Sequence, residues 1–255
     1  MASPRIFHPL VVRIGIFALV PAGVVLWAFG PLFALGAAAG VVGIELWRVR
    51  KLVVAAMPPD LEFVPSHPSE HAWLDEAGFR HELVALAELG FEPLADYSIA
   101  YPGAPDTFAR VLVHPSRRVY AEVNQARQGA ETVGVATMFS SSMTKGWSLQ
   151  TSNREAIAAT VAFMRAPRTL WRSLPEANLA ELLDDHIALR SRLCHDVNLQ
   201  VTGDGTIEGY FEAQRTEHRA RSEALRRTNV VTGIVRGLKG ERARTTEWLG
   251  EYAAA

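Results

Sequence analysis

From Ile14 to Ile44 the chain carries no charged side chain. One helix crossing a hydrocarbon core needs about 20 apolar residues, so the run is too long for a single straight span. It is interrupted at Gly30-Pro31, where proline removes a backbone donor and disfavours helical geometry in the residue before it. The pattern predicts an N-terminal transmembrane helical hairpin, with helices over residues 10–29 and 32–47 and a stalk reaching Met57. A cleaved signal peptide, apolar over about 7 to 15 residues, is too short to account for the run. A single tilted span with its end buried elsewhere is the other arrangement that fits.

Small residues recur on both helices, as Ala18-x-x-x-Ala22 and as Gly36-x-x-x-Gly40 followed by Gly43. Such residues let helix backbones approach closely in lipid, so these five are expected to pack helices together. Arg13 and Glu45 lie at similar distances from the turn, and an ion pair between them would lower the cost of two embedded charges. Arg5 and Arg13 precede the first helix, Arg48, Arg50 and Lys51 follow the second, and the turn has no charge. Both termini are therefore expected on the cytoplasmic side of an inner or plasma membrane, with Trp27 and Trp47 at opposite interfaces.

A proline-rich linker over residues 58–69 separates this anchor, residues 1–57, from a soluble domain over 70–255. Within that domain a helix is predicted from Phe79 to Leu89, ended by Gly90. Short segments follow at Leu94–Tyr101, Phe108–His114, Arg118–Asn124, Val133–Ser140 and Trp147–Ser152, rich in β-branched and aromatic residues. Their spacing leaves no room for crossover helices, which makes the sheet an antiparallel β-meander. Residues 156–166 are alanine-rich like a helix yet run into Pro167, and remain ambiguous. Helices are expected at Pro175–Cys194 and Ile207–Arg227, with a short strand through Val197, Leu199 and Val201 between them. The fold class is α+β, a meander packed with helices.

Composition bounds the function. At 49% hydrophobic and 21% charged the chain is a folded protein, and its net charge of -1 argues against nucleic acid as a partner. Charge is uneven: Arg80 is the one Lys or Arg between Asp60 and Asp96, whereas residues 215–244 are strongly basic. Val230 to Leu238 is apolar enough to pack on the core or to lie on a bilayer, where Arg236 and Lys239 would suit headgroups. Cys194 is the sole cysteine, which rules out an intrachain disulfide and a multi-cysteine zinc site.

Chemistry-bearing motifs are sparse. No Gly-x-Gly-x-x-Gly or Gly-Lys-Ser/Thr loop is present, so no cofactor is expected. His67-x-x-x-His71 with Glu70 and Asp75 resembles a ligand set, but Pro68 breaks the helix that would align it, and it is read as a polar linker that binds no metal. Ser140, Ser141 and Ser142 offer a hydroxyl nucleophile, and His186 beside Asp184 and Asp185 offers a base. The expected function is a non-catalytic, membrane-tethered cytoplasmic module that binds a protein partner or small ligand through its sheet and C-terminal helices. The alternatives are a membrane-anchored hydrolase using Ser140–Ser142 with His186, and a subunit of a membrane assembly joined through the small-residue helix faces.

Overall fold

The computed structural model describes residues 7–55, 57, 60–100, 105–155, 158–240, 246–249 and 252. Arg5, Pro58, Pro59, Tyr101 and Ala156, which carry parts of the expectations above, lie outside them. Two compact units result. One comprises residues 1–57, 157–165 and 222–244, and the other residues 58–156, 166–221 and 245–255.

The first unit begins with α1 (Phe7–Phe29) and α2 (Pro31–Ala55), which form a hairpin. Gly30 has φ +91°, a left-handed conformation that glycine adopts without a Cβ penalty, and Pro31 then starts α2 where its missing N–H costs nothing. Both helices are long and apolar enough to cross a membrane. Two shorter helices belong to the same unit, α4 (Ala158–Phe163) and α7 (Val230–Gly240), together with the C-terminal turns of α6 (Ile207–Arg227). They share a cluster of Val49, Ala162, Phe163, Leu225, Val230 and Ile234, with Leu10, Leu46 and Val53 packed against it. The unit that holds the hairpin thus draws on three separate stretches of chain.

The second unit is a mostly antiparallel α+β domain. Its strands are β1 (Glu62–Pro65), β2 (Glu92–Ala100), β3 (Asp106–His114), β4 (Val119–Gln128), β5 (Glu131–Thr132), β6 (Ala136–Met143), β7 (Trp147–Ser152), β8 (Thr169–Ser173) and β9 (Thr246–Trp248). Among the described residues they form one sheet ordered β1-β2-β3-β4-β6-β7-β8-β9, with β5 paired to β4 off that path. Three features differ from expectation. Strand β1 lies in the stretch read as linker, because Glu62 to Pro65 pairs with Tyr97 to Ala100 along the edge of β2. Strand β8 joins β7 in parallel; its connection contains α4, so the alanine-rich stretch is a short crossover helix after all. The strand expected near Val197–Val201 is reduced to one bridge between Met143 and Val201, because α5 (Leu179–Val197) runs on until Asn198 turns left-handed at φ 53°.

Alternation along the strands creates two faces. Phe108, Leu112, Val119, Ala121, Val123 and Phe139 point to one side, where α3 (Glu76–Glu88) and α5 cover them with Phe79, Leu86, Leu182 and Leu183. Their neighbours Tyr97, Ala109, Val111, Val113 and Tyr120 point to the other, where the first half of α6 brings Tyr210 and Phe211. Capping makes the covering helices well defined: Asp75 accepts from Gly78 N–H at the start of α3, and Asn178 forms a reciprocal capping box with Glu181 at the start of α5.

Candidate functional site

On the α5 side, Ser141 lies on the inward face of β6 and meets His186 two turns into the buried stripe of α5. Its Oγ is 2.9 Å from His186 Nε2, while Thr151 Oγ1 is 3.0 Å from Nδ1 and Arg190 Nη1 donates to Ser141 Oγ at 3.1 Å. The serine–histidine contact therefore forms, through Ser141 and not through Ser140 or Ser142. Alternation places Ser140 and Ser142 on the opposite face, where Ser140 pairs in register with Tyr120. The pair sits in the core: His186 and Thr151 have no exposed surface and Ser141 has 2%. Burial, helped by the Arg190 charge, pushes the imidazole down to about 3. A base that weak takes no proton from serine near neutrality, and Thr151 stands where a triad has a carboxylate. Asp185 is engaged elsewhere, with Arg172 at 3.1 Å. The network satisfies buried polar groups.

A second arrangement escaped the sequence reading. Ser66 Oγ lies 2.8 Å from His71 Nε2, and His71 Nδ1 lies 3.2 Å from Asp106 Oδ1, whose other oxygen accepts from Trp73 Nε1 at 2.5 Å. The order is serine, histidine, aspartate, but two things disarm it. The Nδ1 contact is close yet too poorly aligned to count as a hydrogen bond. Four N–H groups of the turn are already committed, His67 N to Glu70, Ser69 N to His67 Nδ1, Glu70 N to His67 O and His71 N to Pro68 O, so none of these serves an oxyanion. These residues, with Asp75 capping α3, fold the approach to α3. Among the described residues no group of three or more His, Cys, Asp or Glu is placed to hold a metal ion.

The α6 side is built differently. Glu122 of β4 accepts from Tyr97 at 2.5 Å, from Tyr210, and from Asn124 Nδ2 at 2.6 Å. Burial beside this carboxylate raises both phenols well above their ordinary value, so they stay protonated donors. Tyr120 donates to Asp204 Oδ1 at 3.0 Å and accepts from Gly205 N–H, and burial with that contact pushes it up to about 12. Further along α6, Glu217 accepts from Gln150 Nε2 at 2.8 Å and from Arg221; burial nonetheless raises its carboxyl above the usual range.

Next to these bonds α6 leaves a gap. Gly209, Ala213, Thr216 and Ala220 recur at i, i+4, i+7 and i+11, one face of the helix, and none reaches far enough to fill the space beneath. A cleft of ≈ 310 Å³ results. Its walls include Tyr120, Ser142, Ser148 and Thr169 from the sheet, Met143 and Trp147 at strand ends, and Asp204, Glu212 and Glu217 around it, with no Lys, Arg or His in the lining. Sequence reasoning passed over this face because it weighed α6 by its charges. The signal was the row of small side chains on an otherwise large-residued helix.

In the hairpin, Ala18 and Ala34 are buried, at 7% and 8% exposure, and Ala22 is half-buried. Gly36, Gly40 and Gly43 are exposed, with open space where a Cβ would stand. The expected pair of Arg13 and Glu45 is not among the contacts of the described residues. Glu45 binds Arg48 at 2.7 Å and the Arg13 guanidinium lies 5.4 Å from the Phe17 ring centre; a partner one turn away on the same helix is reached without any demand on hairpin register. Comparison with protein-family models, with curated proteins and with solved structures finds no match to this chain.

Proposed function

We propose that the chain is a membrane-tethered cytoplasmic module that binds a small ligand in the cleft between α6 and its sheet, without catalysing a reaction on it. The observation that carries this is the unfilled helix face. A helix covering a sheet ordinarily buries large apolar side chains at its central positions, and interiors are packed with few voids larger than a water molecule. Here those positions are Gly209, Ala213, Thr216 and Ala220, and ≈ 310 Å³ stays open, within the range of small-molecule sites. Carboxylates and hydroxyls without a lining cation accept hydrogen bonds, so the ligand presents N–H or O–H donors on a partly apolar body.

The reading of lipid as the solvent of α1 and α2 is supported by what those helices expose. Leu19, Trp27 and Leu32 are 72%, 90% and 83% accessible, surface that is stable in a hydrocarbon layer and costly in water. Basic flanks at both ends of the hairpin support cytoplasmic termini. Native mass spectrometry of the full-length protein extracted from membranes tests the binding proposal. The wild type carries a non-lipid adduct that Ala213→Trp, which fills the cleft, does not retain. Equal adduct on both proteins, or none on either, contradicts it.

A second reading has one observation in its favour. Gly36, Gly40 and Gly43 form a small-residue stripe that the hairpin leaves uncovered, suited to a helix of another subunit. Cross-linking that survives removal of the residues after Met57, and is lost in Gly36→Leu with Gly40→Leu, supports assembly through the membrane; cross-linking indifferent to both glycines sinks it.

A further inference from the structure

We infer that α7 is a membrane-surface helix that lies in the headgroup layer and recognises anionic lipid. The inference concerns the anchoring unit alone and rests on the reading of α1 and α2 as membrane spans.

Two sides of α7 differ. Val230, Gly233, Ile234 and Gly237 are buried. Gly233 lies so close under the Phe163 ring that a Cβ there would collide with it, which seats α7 tightly on α4. Val230 and Ile234 join Val49 of α2, with Leu46, Val53 and, from α1, Leu10 packed against the same cluster. The other side exposes Val231 at 54% and Val235 at 46%, one helical turn apart, with exposed Lys239 a turn further on.

Depth identifies what covers that exposed side. Val49 follows Trp47 by two residues, about 3 Å along a helix axis, and Lys51 Nζ sits 4.0 Å from the Trp47 ring centre. A tryptophan bearing a cation at the end of an apolar span marks the boundary between acyl chains and headgroups. A helix packed against Val49 and Val53 is therefore held at that boundary, where valines on one side reach acyl chain and cations reach phosphate.

Charge selects the lipid. Around α7, this unit gathers Arg48, Arg50 and Lys51 on α2, Arg226 and Arg227 at the end of α6, and Arg236 and Lys239 on α7. Arg50 donates to the Arg226 carbonyl at 3.1 Å, which ties the two basic groups together. Among the described residues of this unit the acidic side chains are Glu45 and Glu223, and each is taken up by one arginine, Arg48 at 2.7 Å and Arg227 at 3.2 Å. The remaining positive charge lies beside a surface where anionic lipids concentrate.

Full-length protein in lipid nanodiscs provides the test. With Cys194 replaced by alanine, an environment-sensitive fluorophore is placed at Val231→Cys and at Val235→Cys, and, as a reference for bulk water, the same fluorophore is coupled to free glutathione in the nanodisc solution. Quenching by spin-labelled lipid should be several-fold stronger at 231 and 235 than for the glutathione adduct, and should increase when phosphatidylglycerol replaces part of the phosphatidylcholine. Replacing Arg226, Arg227 and Lys239 with glutamine should remove the increase and leave protein incorporation unchanged. Quenching at 231 and 235 no stronger than that of the glutathione adduct overturns the surface location; equal quenching in the two lipid mixtures overturns the anionic preference. A protein that never enters nanodiscs and stays in solution without detergent refutes the spans themselves, a distinct failure.

Discussion

The two faces of one sheet are made from alternate residues of the same strands, yet they are built for different ends. Toward α3 and α5 stand Phe108, Val119, Val123 and Phe139, and among the polar groups admitted there Ser141, Thr151 and His186 satisfy one another with almost no exposure to solvent. Toward α6 stand Tyr97, Tyr120, Glu122, Gln150 and two serines, and a cleft of ≈ 310 Å³ remains open. The difference teaches that dense packing and open polar space can be divided between the two residues of a β repeat, and on the proposed reading the open face is the one that binds. One face supplies the packing density that holds the fold, which frees the other to keep polar atoms and empty space.

Substitutions on the two faces should therefore differ in kind. The largest effect is expected for Phe139→Ala, on the packed side, where a fully buried ring stacked on Phe91 is removed; chemical denaturation should report a loss of about 3–5 kcal/mol. A loss well under that range would mean the α5 side is no better packed than the other.

Replacing His186 with leucine comes next. It keeps volume but strips Thr151 of its partner and Ser141 of one of two, costing about 2–3 kcal/mol. The acid dependence should change with it. His186 is neutral in the fold and held down to about 3, against 6.5 in its ordinary state, so between those values the unfolded chain binds the extra proton. Stability is full above about 6.5 and declines as pH falls toward about 3. Thermal melts of His186→Leu should show a shallower decline over that window, and an unaltered slope would contradict a buried neutral imidazole.

The smallest effect on stability belongs to the cleft. Ala213→Trp enters open space and should change the unfolding free energy by less than about 1 kcal/mol while abolishing ligand retention. A severe loss of stability would mean that α6 is packed there and the gap is not real.

Hydrophobic period made much of this legible beforehand. The two apolar helices broken at Gly30-Pro31, the charged helix Ile207–Arg227 and the strand Trp147–Ser152 all emerge where residues of one kind recur at 3.6 or 2. Parallel pairing of β8 did not, because the connection through α4 is too short and too alanine-rich to announce a crossover, and Thr169–Ser173 is only five residues long between Pro167 and Pro175. Ser141 and His186 were both singled out, but their depth could not be read locally: whether a β6 serine faces core or cleft depends on a one-residue register. The cleft is defined by side chains that α6 lacks, and a period of small residues reads as weak amphipathicity until a sheet is placed beneath it.

The most direct test of the account is an experimental density map of the full-length protein taken from its native membranes into nanodiscs. The account predicts non-protein density in the cleft, against Ser148 and Thr169 on the sheet and Ala213 and Thr216 on α6. A cleft closed by α6 settling onto the sheet, or one holding ordered water alone, would contradict it.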